Sequence, residues 1–175
     1  GIVTIGELAK ENKDVPVFCF DNKNKVTVRM MRNPRLTGEK VPVYKITLDD
    51  GSEFITTENH KFKLLSGEYK EVSELNPGDS LKIISRFEAT HKELFENFNS
   101  RGQDYFWIDS GQKKVNAEHS FIASFHYNID YIPSGYVVHH KDFVGKNNQP
   151  ENLIIMSKEE HDNYHGSLMV GENNP

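Results

Sequence analysis

The sequence predicts an α+β protein with two parts, a strand-rich part over residues 1–86 and a mixed part over residues 87–175. Short alternating segments separated by Asp, Asn and Gly turns fill the first part, whereas longer helical patterns occur in the second. Seven of the eight histidines lie in the second part. The charge divides in the same way, because the first part carries a net charge of +1 and the second a net charge of −6. We therefore expect histidine chemistry, with a metal ion, in the second part.

Composition excludes several classes of protein. The chain of 175 residues has a net charge of −5, which argues against a protein that simply coats nucleic acid. The single cysteine, Cys19, excludes a disulfide framework and a cysteine-rich zinc site, and we expect it in the core. No apolar run approaches the roughly 18 residues of a membrane span, and no signal-peptide pattern opens the chain. We expect a cytoplasmic protein with no membrane partner.

Local signals in the first part predict one short helix and several hairpins. Thr4 and Glu7 form a capping box for a helix over residues 4–10. Strands are predicted over residues 15–20, 25–30, 43–48, 53–57, 62–65 and 80–84, with turns at 21–24, 49–51 and 76–79. Many short strands at regular spacing indicate a compact all-β unit.

The second part alternates helices and strands. Helices are predicted over residues 92–98 and 118–126, the latter with Phe121, Ile122 and Phe125 on its apolar face. Strands are predicted over residues 105–108, 136–138 and 153–156, with a polar loop at 145–150. Ser157 to Glu160 forms a capping box for a last helix.

Four histidines at the end of the second part form the sharpest pattern in the sequence. His161 and His165 are four residues apart, so on a helix they project from one face and can bind one metal ion. His139 and His140 are neighbours at a strand end, where consecutive side chains point to opposite sides. One of the pair can face a metal while the other faces a substrate. The pattern predicts a ββα unit around one metal ion. The alternative interpretation is that the four histidines are unrelated surface residues.

Residues 137–142, 147–153 and 160–165 resemble the HNH family of nucleases, which has a ββα-metal fold. The resemblance implies that His139 and His161 are metal ligands and that His165 is a third ligand or contacts the scissile phosphate. It implies that His140 is the general base that activates water. It further implies that Asn152 holds the loop and so orients that base. The expected cofactor is one divalent ion, Mg²⁺, Mn²⁺, Zn²⁺ or Ni²⁺.

The chemistry of phosphodiester cleavage agrees with these residue types. Cleavage needs a nucleophilic water, a base that titrates near neutrality and a cation beside the leaving oxygen. Histidine is the side chain that supplies such a base. We expect double-stranded DNA as the substrate. Lys141 and Lys146 are candidate phosphate contacts, although exposed lysines are more often simply solvated.

The first part resembles the N-terminal half of an intein, the horseshoe-shaped Hint splicing domain. The resemblance rests on residues 5–8, 57–60 and 74–81, in that order. It implies that His60 protonates and distorts the first scissile peptide bond and that Thr57 orients it. Inteins often carry an inserted homing endonuclease, which agrees with an HNH-like segment directly after the Hint-like part. The alternative interpretation of the first part is an ordinary β domain. The two resemblances together imply a bacterial or phage-encoded homing endonuclease.

Splicing itself is not expected of this chain alone. The chain opens with Gly1, where the family has a Cys or Ser nucleophile, and ends at Asn174-Pro175 without a terminal His-Asn pair. An alternative function is therefore a split or truncated intein fragment that splices with a complementary fragment or acts on flanking exteins, with a degenerate nuclease. A third alternative is a DNA-binding module without catalysis.

Basic residues in the first part are candidates for binding DNA. They gather around a predicted hairpin at Arg29, Arg32, Arg35 and Lys40. Such a hairpin can lie along the phosphate backbone of a duplex. A solvated charged ribbon is an equally good interpretation of the same residues.

Overall fold

The chain forms two compact units, Gly1–Ile84 and Ser85–Pro175. The structure, a computed structural model, describes residues 3–94, 104–111 and 115–169. Each unit combines helices with small antiparallel sheets, so helices and strands are mixed as the sequence predicts. The domain boundary predicted after residue 86 falls inside the first strand of the second unit.

The first unit consists of one helix, three hairpins and a short turn of 3-10 helix. Its elements are α1 (Ile5–Glu11), β1 (Val15–Phe20), β2 (Val26–Met31), β3 (Val43–Thr47), β4 (Glu53–Thr57), β5 (Lys61–Lys63), β6 (Tyr69–Glu71) and a 3-10 turn (Val72–Glu74). The antiparallel pairs are β1 with β2, β3 with β4, and β5 with β6. The predicted helix and the first two hairpins are confirmed within a residue or two at their ends.

Side chains that satisfy backbone groups explain why these elements begin and turn where they do. The Thr4 hydroxyl accepts from the Glu7 N–H and the Glu7 carboxylate accepts from the Thr4 N–H, which completes the predicted capping box. In the first hairpin, one Asp21 carboxylate oxygen accepts from the backbone N–H groups of Lys23 and Lys25. The turn then needs the left-handed backbone that Asn24 adopts at φ 60°.

The strand predicted over residues 80–84 is wrong. Only a bridge between Leu64 and Leu81 forms there, while β6 and the following 3-10 turn lie in a stretch with no predicted element. The preceding turn explains the difference, because the Asp79 carboxylate accepts from the Asn76 N–H and pairs with Lys70 on β6. Side-chain bonds therefore fix this segment in place of a ladder.

The core of the first unit is sparse. Leu8, Leu64 and Val72 are its buried hydrophobic residues among those described. By contrast, the β3–β4 hairpin leaves Val43 58% and Ile55 73% exposed. Cys19 is half-buried on β1, not fully enclosed.

The second unit contains a three-stranded sheet and a hairpin followed by a helix. Its elements are β7 (Ser85–Thr90), α2 (His91–Leu94), β8 (Asp104–Asp109), β9 (Asn116–Ala117), α3 (Glu118–His126), β10 (Tyr136–His140), a 3-10 turn (Pro150–Asn152), β11 (Leu153–Ser157) and α4 (Lys158–Met169). The sheet has the order β7-β8-β9, and β10 pairs with β11. The sequence predicts neither β7 nor β9. The predicted helix over 92–98 includes residues 95–98, which lie outside the described residues.

The buried residues of the helix α3 do not all lie on the apolar face that the sequence predicts. Its buried positions are Glu118, Ala123 and Ser124, whereas Phe125 is 38% exposed. Small side chains allow the helix to approach its neighbours closely, and the carboxylate of Glu118 is buried because Arg86 pairs with it. On the predicted apolar face, Phe121 and Ile122 are half-buried, whereas Phe125 is exposed.

The hairpin and the last helix are the elements that position the histidines. In the β10–β11 pair, His139 lies opposite Ile154 and His140 opposite the fully buried Leu153. The helix α4 follows β11 without a loop, because Ser157 and Glu160 form the predicted capping box. The predicted strand–loop–strand–helix order is thus confirmed.

Membrane-spanning helices are not found in the described parts of the chain, where every helix is too short or too polar for that role.

Gly145 should be irreplaceable by a larger residue. A Cβ there would lie 2.7 Å from Cε1 of Tyr105 and 2.9 Å from the Asp104 carbonyl oxygen. We expect Gly145→Ala to lower the free energy of unfolding by about 1–3 kcal/mol, measured by urea denaturation. Gly166→Ala is the matched control, since nothing lies within 4 Å of that Cβ on α4 and alanine favours the helix. Equal stability of the two variants would contradict the close contact.

Candidate functional site

Three of the predicted metal ligands lie together at the end of the second unit. His139 lies at the end of the β10 strand, and His161 and His165 lie one turn apart on α4. One ring nitrogen of each can be chosen so that all three lie within 4.8 Å of one another. The ring centroids are 5.3 Å apart for His139 and His161 and 4.5 Å apart for His161 and His165.

The donor atoms of this cluster suit a divalent metal ion. The Nε2 atom of His139 is buried and has no hydrogen-bond partner, so its lone pair is not used by the protein. Burial, and then the neighbouring His161 and His165, lower the pKa of His139. A lower pKa favours the neutral ring, which is the state that binds a metal. Three imidazoles favour borderline ions such as Zn²⁺ or Ni²⁺ over the hard ion Mg²⁺.

Two aromatic side chains flank the histidine cluster. Phe143 and Tyr164 stack in parallel with their ring centroids 6.0 Å apart, and both rings pack edge-on against His139. Both remain more than 40% exposed. They restrict the movement of His139 while leaving an open apolar surface beside the cluster.

His140 lies in different surroundings from its neighbour. Its Nε2 atom is 2.8 Å from Oδ1 of Asn148. Its ring meets the His119 ring at 90° with centroids 5.0 Å apart, and Tyr105 lies 6.0 Å away. The residue is buried, as His139 is. The two adjacent histidines thus serve two separate environments, one at the cluster and one among α3, β8 and the loop.

A chain of polar contacts continues behind His140. Nδ2 of Asn148 donates to Oε2 of Glu118 at 2.7 Å. The same carboxylate accepts from Nε and Nη2 of Arg86 at 2.6 and 3.0 Å. The guanidinium of Arg86 also lies over the Phe106 ring, 3.4 Å from its centroid. Residues from β7, α3 and the loop after β10 therefore converge on one imidazole nitrogen.

Asn152 fixes the loop that follows His140. Its Oδ1 accepts from the Asp142 N–H at 3.1 Å, and its Nδ2 donates to Asp142 and to the Asn147 carbonyl. Hydrogen bonds from Asn147, the Val144 N–H and Asn152 lower the pKa of Asp142 to about 2. The side chain of Asn152 therefore holds the loop through three hydrogen bonds, and the role in orienting the base that the resemblance implies for it stays a prediction.

Two further histidines lie beside this site. His119 packs on both His140 and Tyr105. His91 packs on Tyr105 and Trp107, and burial lowers its pKa. No spacing rule links positions so far apart in the chain to the histidine motif.

The two predicted phosphate-binding lysines are engaged within the protein. Nζ of Lys141 donates to the Glu151 carbonyl at 2.7 Å. Nζ of Lys146 pairs with Glu88 at 2.7 Å and with Asp104 at 3.8 Å. Contact with a phosphate would compete with these partners.

The predicted residues of the first unit lie in a turn and on an irregular segment. Thr57 and His60 bracket one turn, in which the His60 N–H donates to the Thr57 carbonyl and the Thr57 hydroxyl to Asn59. His60 is exposed and packs on Phe62. Among the basic residues, Arg29 lies on β2, whereas Arg32, Arg35 and Lys40 lie in the irregular segment after it. Arg32 pairs with Asp14 at 3.5 Å.

Part of this site lies in a segment of the chain that matches a known family. Residues 130–163 match the family model described as HNH endonuclease. This match contains the β10–β11 hairpin, His139, His140, Asn152 and His161. The chain is also similar to the B subunit of a DNA gyrase from Synechocystis sp., with 30% identity over 166 residues. That alignment covers 91% of this chain but only 15% of the gyrase protein.

His119 should make the stability of the second unit sensitive to acid. Burial, and then the charges of His140 and His91, lower its pKa to about 3. Between about pH 6.5 and 3 the unfolded chain binds a proton there that the folded chain does not, so stability falls as the pH falls through this window. We expect wild type to lose about 2 kcal/mol more than His119→Phe between pH 7.5 and 4.5, measured by urea denaturation.

His126→Phe is the control for this measurement, since His126 is exposed on the same helix. Its loss of stability with acid should equal that of wild type. A His119→Phe variant that is as acid-sensitive as wild type would contradict the assignment.

Proposed function

We propose that the chain is a divalent-metal-dependent endonuclease that hydrolyses DNA phosphodiester bonds. The observation that carries the proposal is the three-histidine cluster with a buried fourth histidine next to it, in and beside the segment that matches HNH endonucleases. HNH nucleases use a divalent metal ion. The donor set and the unpartnered Nε2 atom of His139 support such an ion here.

The roles proposed for the residues follow from where they lie. His139, His161 and His165 would hold the ion, which supplies stabilisation for the negative charge that develops on the phosphate. His140 would accept the proton of the attacking water. Asn152 would keep the loop of Asp142 in place and so limit the movement of His140. The exposed Phe143 and Tyr164 would contact the substrate beside the cluster.

We propose that the first unit, and not the acidic second unit, provides the basic side chains that bind the DNA phosphates. Lys141 and Lys146 have acceptors within the protein, which weakens their case as phosphate contacts. Arg29, Arg32, Arg35 and Lys40 are exposed or loosely paired, so they are the better candidates. Binding by such side chains would weaken steeply as salt is added.

We also propose that the chain is an intein-borne homing endonuclease with a Hint-like first unit. The alignment with only 15% of a gyrase B protein is what a self-contained unit carried inside a longer host protein would give. The turn that brings Thr57 next to His60 supports a splicing-type site, in which His60 would protonate the scissile peptide bond.

Cleavage and metal binding together test the nuclease. Wild type should bind one divalent ion in calorimetry and cut duplex DNA only when that ion is present. We expect His140→Ala to retain metal binding while the cleavage rate falls about 10²–10⁴-fold, because it removes the general base. His161→Ala should lose both properties, because it removes a ligand.

His126→Ala is the matched control for both variants, since this exposed histidine lies outside the cluster. Its metal affinity and cleavage rate should equal those of wild type. Full cleavage by His140→Ala would overturn the role of the base, and cleavage by wild type in the presence of a chelator would overturn the metal requirement.

A second candidate function is splicing in association with a complementary fragment. It is favoured by the sparse core of the first unit, where Val43, Ile55 and their neighbours are exposed on β3 and β4. Added strands would cover such a hairpin. We expect a mixture with a complementary fragment that begins with Cys to yield a spliced or cleaved product, detected by mass spectrometry. His60→Ala should abolish the product, whereas a product without any metal-dependent DNA cleavage would favour this function over the nuclease.

A further inference from the structure

The buried carboxylate of Glu118 determines the direction of every hydrogen bond behind His140. Its side chain is only 7% exposed and pairs with Arg86 through two nitrogens. A guanidinium only donates, and a carboxylate paired with it in this way only accepts. Any further group that bonds to Glu118, including one that shares Oε2 with Nη2 of Arg86, must therefore donate a proton.

That requirement orients the side-chain amide of Asn148. Its NH₂ group must face Glu118, as it does at 2.7 Å, because the opposite orientation would bring two acceptor oxygens together. The amide oxygen Oδ1 is then left facing Nε2 of His140 at 2.8 Å. An oxygen acceptor at that distance requires a hydrogen on Nε2.

We propose that Arg86, Glu118 and Asn148 are positioning residues that hold neutral His140 as its Nε2–H tautomer, so that Nδ1 carries the lone pair that accepts a proton. A neutral imidazole has one N–H group, and fixing it on Nε2 leaves the other nitrogen as a base. The role of these residues in cleavage rests on the proposed nuclease function. The assignment of the tautomer depends only on the hydrogen bonds among Arg86, Glu118, Asn148 and His140.

The surroundings of His140 keep this arrangement intact. His119 and Tyr105 pack against its ring and restrict rotation. Burial and the nearby histidines lower the pKa of His119 to about 3, so at neutral pH that ring adds no positive charge beside His140. The Phe106 ring beneath the Arg86 guanidinium holds the far end of the network.

Two of the three positioning residues lie outside the segment that matches HNH endonucleases. Arg86 is on β7 and Glu118 begins α3, whereas the match starts at residue 130. Asn148 is the only one of the three inside the match. The network is thus supplied largely by the part of the second unit that precedes the matched segment.

The isosteric variant Glu118→Gln gives a sharp test because it should reverse the network. The new amide would keep its oxygen on Nε of Arg86, the shorter of the two bonds in wild type, and would place its NH₂ at the Oε2 position facing Asn148, with loss of the bond from Nη2 of Arg86. Asn148 would then turn its own NH₂ toward Nε2 of His140 and shift the imidazole proton to Nδ1. The double variant Glu118→Gln/Asn148→Asp should restore the wild-type tautomer, because the carboxylate introduced in the loop accepts from both sides.

The tautomer is read from ¹⁵N and ¹³C shifts of the imidazole in the full chain at about pH 8.5, well above the ordinary histidine pKa. Comparison with His140→Ala assigns the signals. We expect Nε2–H in wild type and in the double variant, and Nδ1–H in Glu118→Gln. The cleavage rate should fall at least about 100-fold in Glu118→Gln with the KM for DNA within about twofold, and the double variant should recover most of the loss.

Two further variants keep the test decisive. Asn148→Leu removes the acceptor without disturbing the Arg86–Glu118 pair and should populate both tautomers. Glu159→Gln makes the same chemical change at an exposed position on α4 and should leave the tautomer and the rate unchanged. The proposal is overturned if His140 keeps one tautomer in all folded variants, or if wild-type cleavage is unaffected by Glu118→Gln. A wild-type chain that cuts no DNA would refute the nuclease function. The tautomer of His140 in the variants would still test whether Arg86, Glu118 and Asn148 orient its ring.

Discussion

The antiparallel register of β10 and β11 is the constraint on which the site depends. It places His139 opposite Ile154 and His140 opposite the fully buried Leu153 at the end of the hairpin. Since successive strand side chains point to opposite sides, one histidine reaches α4 and the other reaches α3. A slip of one residue would exchange the two environments and leave both histidines with the wrong neighbours. Leu153, held at zero exposure, makes such a slip costly.

The ligand cluster could be predicted from the sequence because every signal for it is local. The capping box at Ser157 starts the last helix, and a spacing of four residues puts His161 and His165 on one face. The contacts behind His140 could not be predicted. Arg86 and Glu118 are 32 residues apart and meet because α3 packs on β8 and β9, in the sheet that also contains β7. His119 escaped prediction for the same reason, because helical periodicity alone does not say which neighbour a side chain will meet.

The first unit shows the limits of strand prediction more clearly. Alternation and turn residues correctly identified its first two hairpins, where the bonds are between near neighbours. The strand expected over residues 80–84 failed because side-chain bonds from Asp79 replaced a ladder. A compact all-β unit also requires that its hydrophobic side chains be buried. Few of the described hydrophobic side chains of this unit are buried. Sequence pattern identifies which segments extend but not what covers them.

The ion pair between Arg86 and Glu118 has a consequence for modularity. A domain defined only by its similarity to the HNH family would begin near residue 130, and it would be taken for a module that can be transferred by itself. Transplanted at that boundary, it would carry His140 and Asn148 but would leave Asn148 without its anionic neighbour. The amide would then be free to rotate, and the imidazole would have no preferred direction. A transplanted unit that keeps this network would therefore have to begin at Ser85, where β7 starts, because a later boundary would separate His140 from Arg86 or Glu118.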